Sequence, residues 1–486
     1  MSGELERLAA ACLFPGFAGL TPPDWLRSWL GAGLGGVVLF SRNVADGEQL
    51  AALTRALRAD RPDVLVAVDE EGGDVTRLEA DRGSSYPGNL ALGAVDDVEL
   101  TRRVGAAIGR DLASVGIDLD LAPVADVNSN AHNPVIGVRS FGSDPSLVAR
   151  HVAAFVEGVQ GVGVAACAKH FPGHGDTDLD SHLELPVVTA DLATLAAREL
   201  VPFRAAVDAG VRAVMTAHVV VPAVDDVPAT TSAGVLQGLL RGELGFGGLV
   251  ITDALEMQAV AGSAAMDEVA VRALAAGADA LCLGADVHAG HVERAHRAII
   301  TAVRAGALGE DRLEQAAARV AETVRWTAAV PAVRDDDDLG LRAARRALRA
   351  EGDVAKPLPL HVVELQPAAS IAAGESRHGL GELLRARAPS TVVTRLRGAA
   401  TDLPVAPAGH AGRRLVVVVR DAHRHAWQRA ITEALLEAAG DGVVVETGLP
   451  VWRPGRASGY VATYSAGRVN LEAASERLLG VSVDVG

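Results

Sequence analysis

Between Lys169 and Pro186 the chain reads Lys169-His170-Phe171-Pro172-Gly173-His174-Gly175-Asp176-Thr177-Asp178-Leu179-Asp180-Ser181-His182-Leu183-Glu184-Leu185-Pro186. Three histidines and three aspartates in one stretch exceed what a core holds without partners. Asp180 and His182 stand two apart. In an extended or turning loop that spacing lets the carboxylate accept from the imidazole, fix its tautomer and raise its pKa, giving a proton donor suited to neutral pH. The same pair can equally serve as loop structure. Asp253 closes the hydrophobic run Leu249-Val250-Ile251-Thr252 and precedes Ala254-Leu255-Glu256-Met257. A carboxylate on rigid backbone, with Leu255 and Met257 excluding water, suits nucleophilic attack on an electrophilic carbon. Its plain alternative is a helix N-cap.

Two further strings could hold a ligand. In Asp69-Glu70-Glu71-Gly72-Gly73 the glycines let the backbone turn tightly and Asp69 can accept two adjacent hydroxyls, or the string is a solvated acidic turn. In Gly137-Val138-Arg139-Ser140-Phe141-Gly142 the arginine can give a bidentate bond to a ligand oxygen or brace its own loop. His170, His174, Asp176, Asp178 and His182 are all metal-ligand types. No HxH or HExxH spacing puts two imidazoles on one regular element, however, and Lys169 repels a cation, so no metal and no cofactor is expected.

The elements that must position these groups recur as short apolar strands, polar loops and Ala/Leu/Arg-rich helices. Strands are predicted at Gly35–Phe40, Val64–Asp69, Ile117–Pro123, Val164–His170, Ala213–His218, Gly248–Asp253 and Ala280–Gly284. Helices are predicted at Gly47–Ala59, Asp97–Val115, Leu147–Gly161, Asp191–Ala209, Ala233–Gly242, Ala264–Ala276 and His288–Ala305. Such alternation means parallel strands with crossover helices, and its length points to a TIM-like (β/α)8 barrel, irregular at its first turns. Arg42 and Asn43, Asp69, Asp126 and Asn128, Lys169 and His170, His218, and Asp253 then stand at six successive strand ends, the rim where barrel enzymes build their sites.

The barrel is expected over residues 1–330, a linker with a connecting helix over 331–357, and a smaller α/β open-sheet sandwich domain over 358–486. The linker reading rests on Pro331 and the Asp335–Asp338 charge run, and the helix on Arg-rich Leu341–Glu351. Strands at His361–Leu365, Thr391–Leu396, Leu415–Arg420, Gly442–Glu446 and Val461–Ser465 define the second domain, which has no Gly-rich phosphate loop.

Composition excludes several classes. A net charge of −16 and 3% aromatic residues leave no basic or stacking surface for nucleic acid or an anionic membrane. No stretch has the roughly 18 consecutive apolar residues of a membrane span. Cys12, Cys167 and Cys282 lack CxxC spacing and read as reduced, buried small hydrophobes. Met1–Ala11 carries Glu4, Glu6 and Arg7 where a signal peptide needs a basic start and an apolar run, so a cytoplasmic enzyme with a small-molecule partner is the expectation.

These strings resemble family 3 glycoside hydrolases of the β-N-acetylglucosaminidase (β-N-acetylhexosaminidase) branch, two-domain type. The resemblance covers the barrel and, more loosely, the second domain. Its most specific element is Lys169-His170-Phe171-Pro172-Gly173-His174-Gly175 with Asp180-Ser181-His182, supported by Asp69–Gly73, Arg139–Gly142 and Thr252–Met257. The resemblance implies that Asp253 is the nucleophile, that His182 with Asp180 is the acid/base dyad, and that Asp69, Arg77, Arg139, Lys169 and His170 hold the sugar. It also implies a carbohydrate substrate ending in GlcNAc, with muropeptide recycling ahead of chitin-derived disaccharides. Asp74 departs from the pattern, since many relatives carry Arg after the paired glycines. An imidazole is neutral after donating its proton, so an anionic acceptor is admissible and a phosphorylase stays open, as does another β-glycosidase. A metal-dependent barrel hydrolase and a non-catalytic sugar-binding module are the remaining alternatives. The oligomeric state is not legible.

Overall fold

The computed structural model describes residues 2–181, 183–257, 265–327, 338–355, 359–368, 379–398 and 412–481. They fall into two compact units: Met1–Glu71, Val98–Ile136 and Ser143–Asp335 form the first, and Gly72–Asp97, Gly137–Gly142 and Asp336–Gly486 the second. Two loops that leave barrel strands therefore group with the later part of the chain.

The first unit is the expected TIM-like barrel. Its strands are β1 (Leu13–Pro15), β2 (Gly36–Leu39), β3 (Leu65–Val68), β4 (Leu119–Asp120), β5 (Ala165–Phe171), β6 (Ala213–Thr216), β7 (Leu249–Thr252) and β8 (Leu281–Gly284). From β2 to β7 they form one curled parallel sheet in sequence order. Ile251 bridges to Ala280, β8 pairs in parallel with β1, and β1 packs beside β2 without a ladder. The core residues Val38, Ala67, Ala165 and Ile251 are small or branched, and Phe14 and Met215 fill the larger gaps between them. Gly36 lies so close under the Phe14 ring that any Cβ would collide with it, which is how β1 seats its aromatic in the barrel.

Seven strands match the sequence reading, while β1 was not foreseen. Nor were the helices Asp24–Ala32 and Glu310–Trp326. Beneath β7, the fully buried Asp279 accepts from the Val250 N–H and pairs with Arg241, Arg312 and Arg319, fixing the strand at the end opposite Asp253.

The second unit holds a sheet of six strands: β9 (Arg349–Gly352), β10 (Leu360–Gln366), β11 (Val392–Arg397), β12 (Arg414–Val419), β13 (Gly442–Glu446) and β14 (Gly459–Ala462), in the order β9-β14-β13-β12-β10-β11. All pairs are parallel except β9 with β14. Val416 and Val418 pack to one face under helices Leu380–Arg387 and Arg468–Leu478, and Leu415, Val417 and Val419 pack to the other under Ala426–Ala439. The open α/β sheet is as expected. The Arg-rich helix ends earlier than expected, at Ala347, because Arg349–Gly352 leaves it to become the antiparallel edge strand. Pro331 and Asp335–Asp337 lie outside the described residues. Asp74 accepts from Ser465 Oγ at 2.7 Å and the Ala466 N–H at 2.7 Å, and pairs with Arg420 at 2.5 Å. The counter-cation of Asp74 thus stands just past β12. Among the described residues no helix is long and apolar enough to cross a membrane.

Candidate active site

Strand β3 delivers Asp69 and Glu71, and β5 delivers Lys169. The Lys169 side chain is only 1% exposed, with Nζ 2.6 Å from Asp69 Oδ1 and 2.7 Å from Glu71 Oε1. A buried ammonium persists only when paired, so the two carboxylates and the lysine are a unit, and Asp69 is held by Lys169. Asp120, at the end of β4, is fully buried beside them and accepts the Glu70 N–H at 3.1 Å. Burial first, then the nearby charge of Glu70, holds its carboxyl well above the usual range.

The strand predicted at Val164–His170 runs one residue further, through Phe171. The Ala125 N–H donates to the Lys169 C=O, the Lys169 N–H to Pro123, and the Ala217 N–H to the Phe171 C=O, so the ladder continues past the apolar run. His170 Nδ1 lies 2.7 Å from Asp126 Oδ2, and the His174 N–H donates to Asp126 Oδ1 at 2.7 Å. Burial would raise the Asp126 pKa, but the imidazoles of His170 and His174 and these N–H groups outweigh it and lower the value. An ionised Asp126 accepts from Nδ1–H, leaving Nε2 as the His170 nitrogen outside that bond. The sequence marks Asp126 only as a strand-end residue, and the structure shows that its carboxylate orients the His170 ring.

The loop after β5 is tethered at many points. Burial pushes the His174 pKa down to about 4, so its ring is neutral at neutral pH, with Nδ1 2.8 Å from Thr177 Oγ1 and Nε2 2.9 Å from Ser181 Oγ. Asn133 Nδ2 donates to the His174 C=O, Asn130 Nδ2 to Asp178 Oδ1, and Arg198 pairs with Asp176 at 2.6 Å. Neither asparagine was singled out from sequence, because nothing local marks them. The Asp180 C=O accepts from the Leu183 and Glu184 N–H groups. Asp180 is half-buried, and His182 itself lies outside the described residues.

Arg198 and Glu199 come from a π-helical turn, Leu195–Glu199, inside the helix predicted at Asp191–Ala209. Glu199 is 1% exposed, accepts Arg198 at Oε1, and packs under Gly173, whose φ of +131° and missing Cβ permit the approach. Burial pushes its pKa up to about 7 from 4.5, against the pull of Arg198. The folded state then binds the proton more tightly than the unfolded chain, so Glu199 stabilises the fold below pH 4.5 and this contribution is lost as pH rises to about 7. Glu199→Gln is expected to flatten the fall of thermal stability across that window, read by melting curves at a series of pH values. An unchanged slope would count against the assignment.

Asp253 follows β7, is half-buried, and its Oδ1 accepts the Ala254 N–H at 2.8 Å. The N-cap alternative loses ground, since the next described helix starts at Met266 with Ala265 before it. Leu255 and Met257 are buried, and Glu256 accepts the Ala285 and Asp286 N–H groups. Arg42 pairs with Asp286, the same residue whose N–H Glu256 accepts, and Asn43 Nδ2 donates to the Phe17 and Gly19 carbonyls. Arg77 and Arg139 belong to the second unit, where the buried Arg139 gives its C=O to Asn89 Nδ2 at 2.7 Å. Among the described residues no three His, Cys, Asp or Glu side chains gather to hold a metal. Cys12, Cys167 and Cys282 are free and buried, and burial pushes their thiol pKa values up.

A parallel barrel with paired carboxylates, a buried lysine and oriented imidazoles at its strand ends is an enzyme scaffold of the acid–base hydrolase kind. The sequence profile described as Glycosyl hydrolase family 3 N terminal domain matches residues 24–323. The chain belongs to that family and is a glycoside hydrolase. Beta-hexosaminidase A of Pseudoalteromonas piscicida is 39% identical over 250 residues, which is 47% of this chain and 42% of that protein. The Beta-hexosaminidase of Chromobacterium violaceum is 42% identical over 253 residues, 51% of this chain and 70% of that protein. A solved structure described as a glycoside hydrolase family 3 beta-N-acetylglucosaminidase from Paenibacillus sp. str. FPU-7 matches with a TM-score of 0.88 at 33% identity, over 98% of this chain and 96% of that one.

Proposed function

We propose that the protein is a retaining exo-β-N-acetylglucosaminidase that removes terminal, non-reducing β-linked GlcNAc. The observation that carries this reading is a half-buried carboxylate, Asp253, at the end of β7, two strands across β6 from β5, whose following loop is tethered through His174 to Ser181. The near full-length likeness to a β-N-acetylglucosaminidase supports the sugar.

In this reading Asp253 attacks the anomeric carbon while protonated His182 donates to the leaving oxygen, so a glycosyl-aspartate forms as the glycosidic bond breaks. Neutral His182 then takes a proton from water, which attacks the same carbon and frees Asp253. Asp180 holds the imidazole. Asp69, Lys169 and His170 hold sugar hydroxyls, with Arg77 and Arg139 assigned the same task on the motif match. Muropeptide recycling in the cytoplasm is the setting we favour.

The test is turnover of an aryl β-N-acetylglucosaminide beside the matching β-glucoside, with EDTA present and with or without phosphate. Preference for the N-acetyl sugar with chelator tolerated supports the reading, and no turnover on either overturns it. Sugar 1-phosphate formed from added phosphate would make the enzyme a phosphorylase. His182→Ala is expected to lose most activity on poor leaving groups, about 10²–10⁴-fold, yet far less on an activated aryl glycoside that needs no proton. Equal losses on both would sink the acid role.

A further inference from the structure

His218 leaves β6 between the two strands that carry the proposed chemistry, and it is fully buried. Its Nε2 lies 3.0 Å from the Ala254 C=O. A carbonyl oxygen only accepts, so Nε2 carries a hydrogen and donates it. Nδ1 lies 2.7 Å from Thr230 Oγ1, itself 2.8 Å from Thr216 Oγ1 and 3.1 Å from the Ala217 C=O. The ring is thus braced at Nδ1 by Thr230 and aimed through Nε2 at the Ala254 carbonyl.

That carbonyl belongs to the Ala254–Leu255 peptide, one residue past Asp253, while the Ala254 N–H on the near side donates to Asp253 Oδ1. On the β8 side the turn is held by Thr252 N–H to Ala280, Cys282 N–H to Thr252 Oγ1, and Leu255 N–H to Cys282. On the β6 side the ladder ends at Thr216 with Thr252, and His218 supplies the hold beyond it.

We propose that His218 is a positioning residue for the Asp253 nucleophile, acting through the Ala254 carbonyl and not on the sugar. The proposal rests on the reading of Asp253 as nucleophile. In the step concerned, a carboxylate oxygen bonds to the anomeric carbon while the bond to the leaving oxygen breaks, and that oxygen keeps the electron pair and takes the His182 proton. A misplacement of the attacking atom by about 1 Å costs about 10²-fold in rate.

His218→Ala is expected to lower kcat about 10²-fold equally on activated and poor aryl leaving groups, with KM changed less than about threefold. The equality separates it from His182→Ala, which splits the two substrates. Covalent labelling of Asp253 by a fluorosugar fluoride, which expels fluoride and needs no acid, should slow to the same degree by mass spectrometry. His218→Gln keeps an N–H that reaches the Ala254 carbonyl and should recover about tenfold over His218→Asn, which reaches only towards Thr230. This comparison decides the matter even if the alanine variant folds poorly. Wild-type kcat in His218→Ala, a loss confined to KM or to poor leaving groups, or asparagine matching glutamine overturns the proposal. Turnover surviving in Asp253→Ala would instead overturn the nucleophile reading.

Discussion

Asp253→Ala is expected to lose about four orders of magnitude or more of turnover, on activated and poor leaving groups alike. The side chain is half-buried at a strand end and accepts the adjoining Ala254 N–H, so its removal opens no cavity in the barrel core. The loss is therefore chemical, and the variant should melt close to the parent. Asp253→Asn keeps an oxygen to accept from Ala254 but has no nucleophile, and it should fall as far. Steady-state turnover with intact circular dichroism checks both. Retention of more than about a tenth of parental activity in the alanine variant would remove Asp253 from the reaction.

Lys169→Met is expected to cost about 3–5 kcal/mol of stability together with most activity, because it strips the counter-charge from two carboxylates at once. Lys169 is 1% exposed, Glu71 2% and Asp69 17%, so water cannot replace the ammonium. This contrasts with exposed pairs such as Arg272 with Glu268, worth well under about 1 kcal/mol. Methionine fills the space of the lysine stem, which separates lost charge from an added cavity. Chemical denaturation followed at the barrel and turnover on the aryl N-acetylglucosaminide read the two effects. A variant as stable as the parent would mean that Asp69 and Glu71 stand without Lys169.

Strands β2 to β8 were legible because each is an apolar run ended by ionisable or turn residues, a signal that needs no tertiary information. Strand β1 was not, since Leu13–Pro15 is too short to show any period between a helix and Gly16. The edge strand Arg349–Gly352 escaped for another reason: Arg-Ala-Glu-Gly is mostly exposed, shows no alternation and follows a helix directly. Of the candidate site, residue types in a row exposed Asp69, Lys169, His170, Asp180, His182 and Asp253 to reading as proposed functional groups. The carboxylate that orients His170, the asparagines that tie its loop and the imidazole that grips Ala254 act through bonds between distant segments. The bond from Ser465 to Asp74 spans 391 positions, which no local pattern encodes.

The grouping of Gly72–Asp97 and Gly137–Gly142 with residues 336–486 bears on synthesis from the ribosome. These two pieces are translated before any strand of the sheet in their own unit, Arg349–Gly352 being the first of those. Barrel strands on either side of them can pair as they emerge, while Asp74 waits for Arg420 and Ser465 near the end of translation. The final anchors of these two pieces thus arrive last, so a chain cut before the second sheet leaves them unmoored.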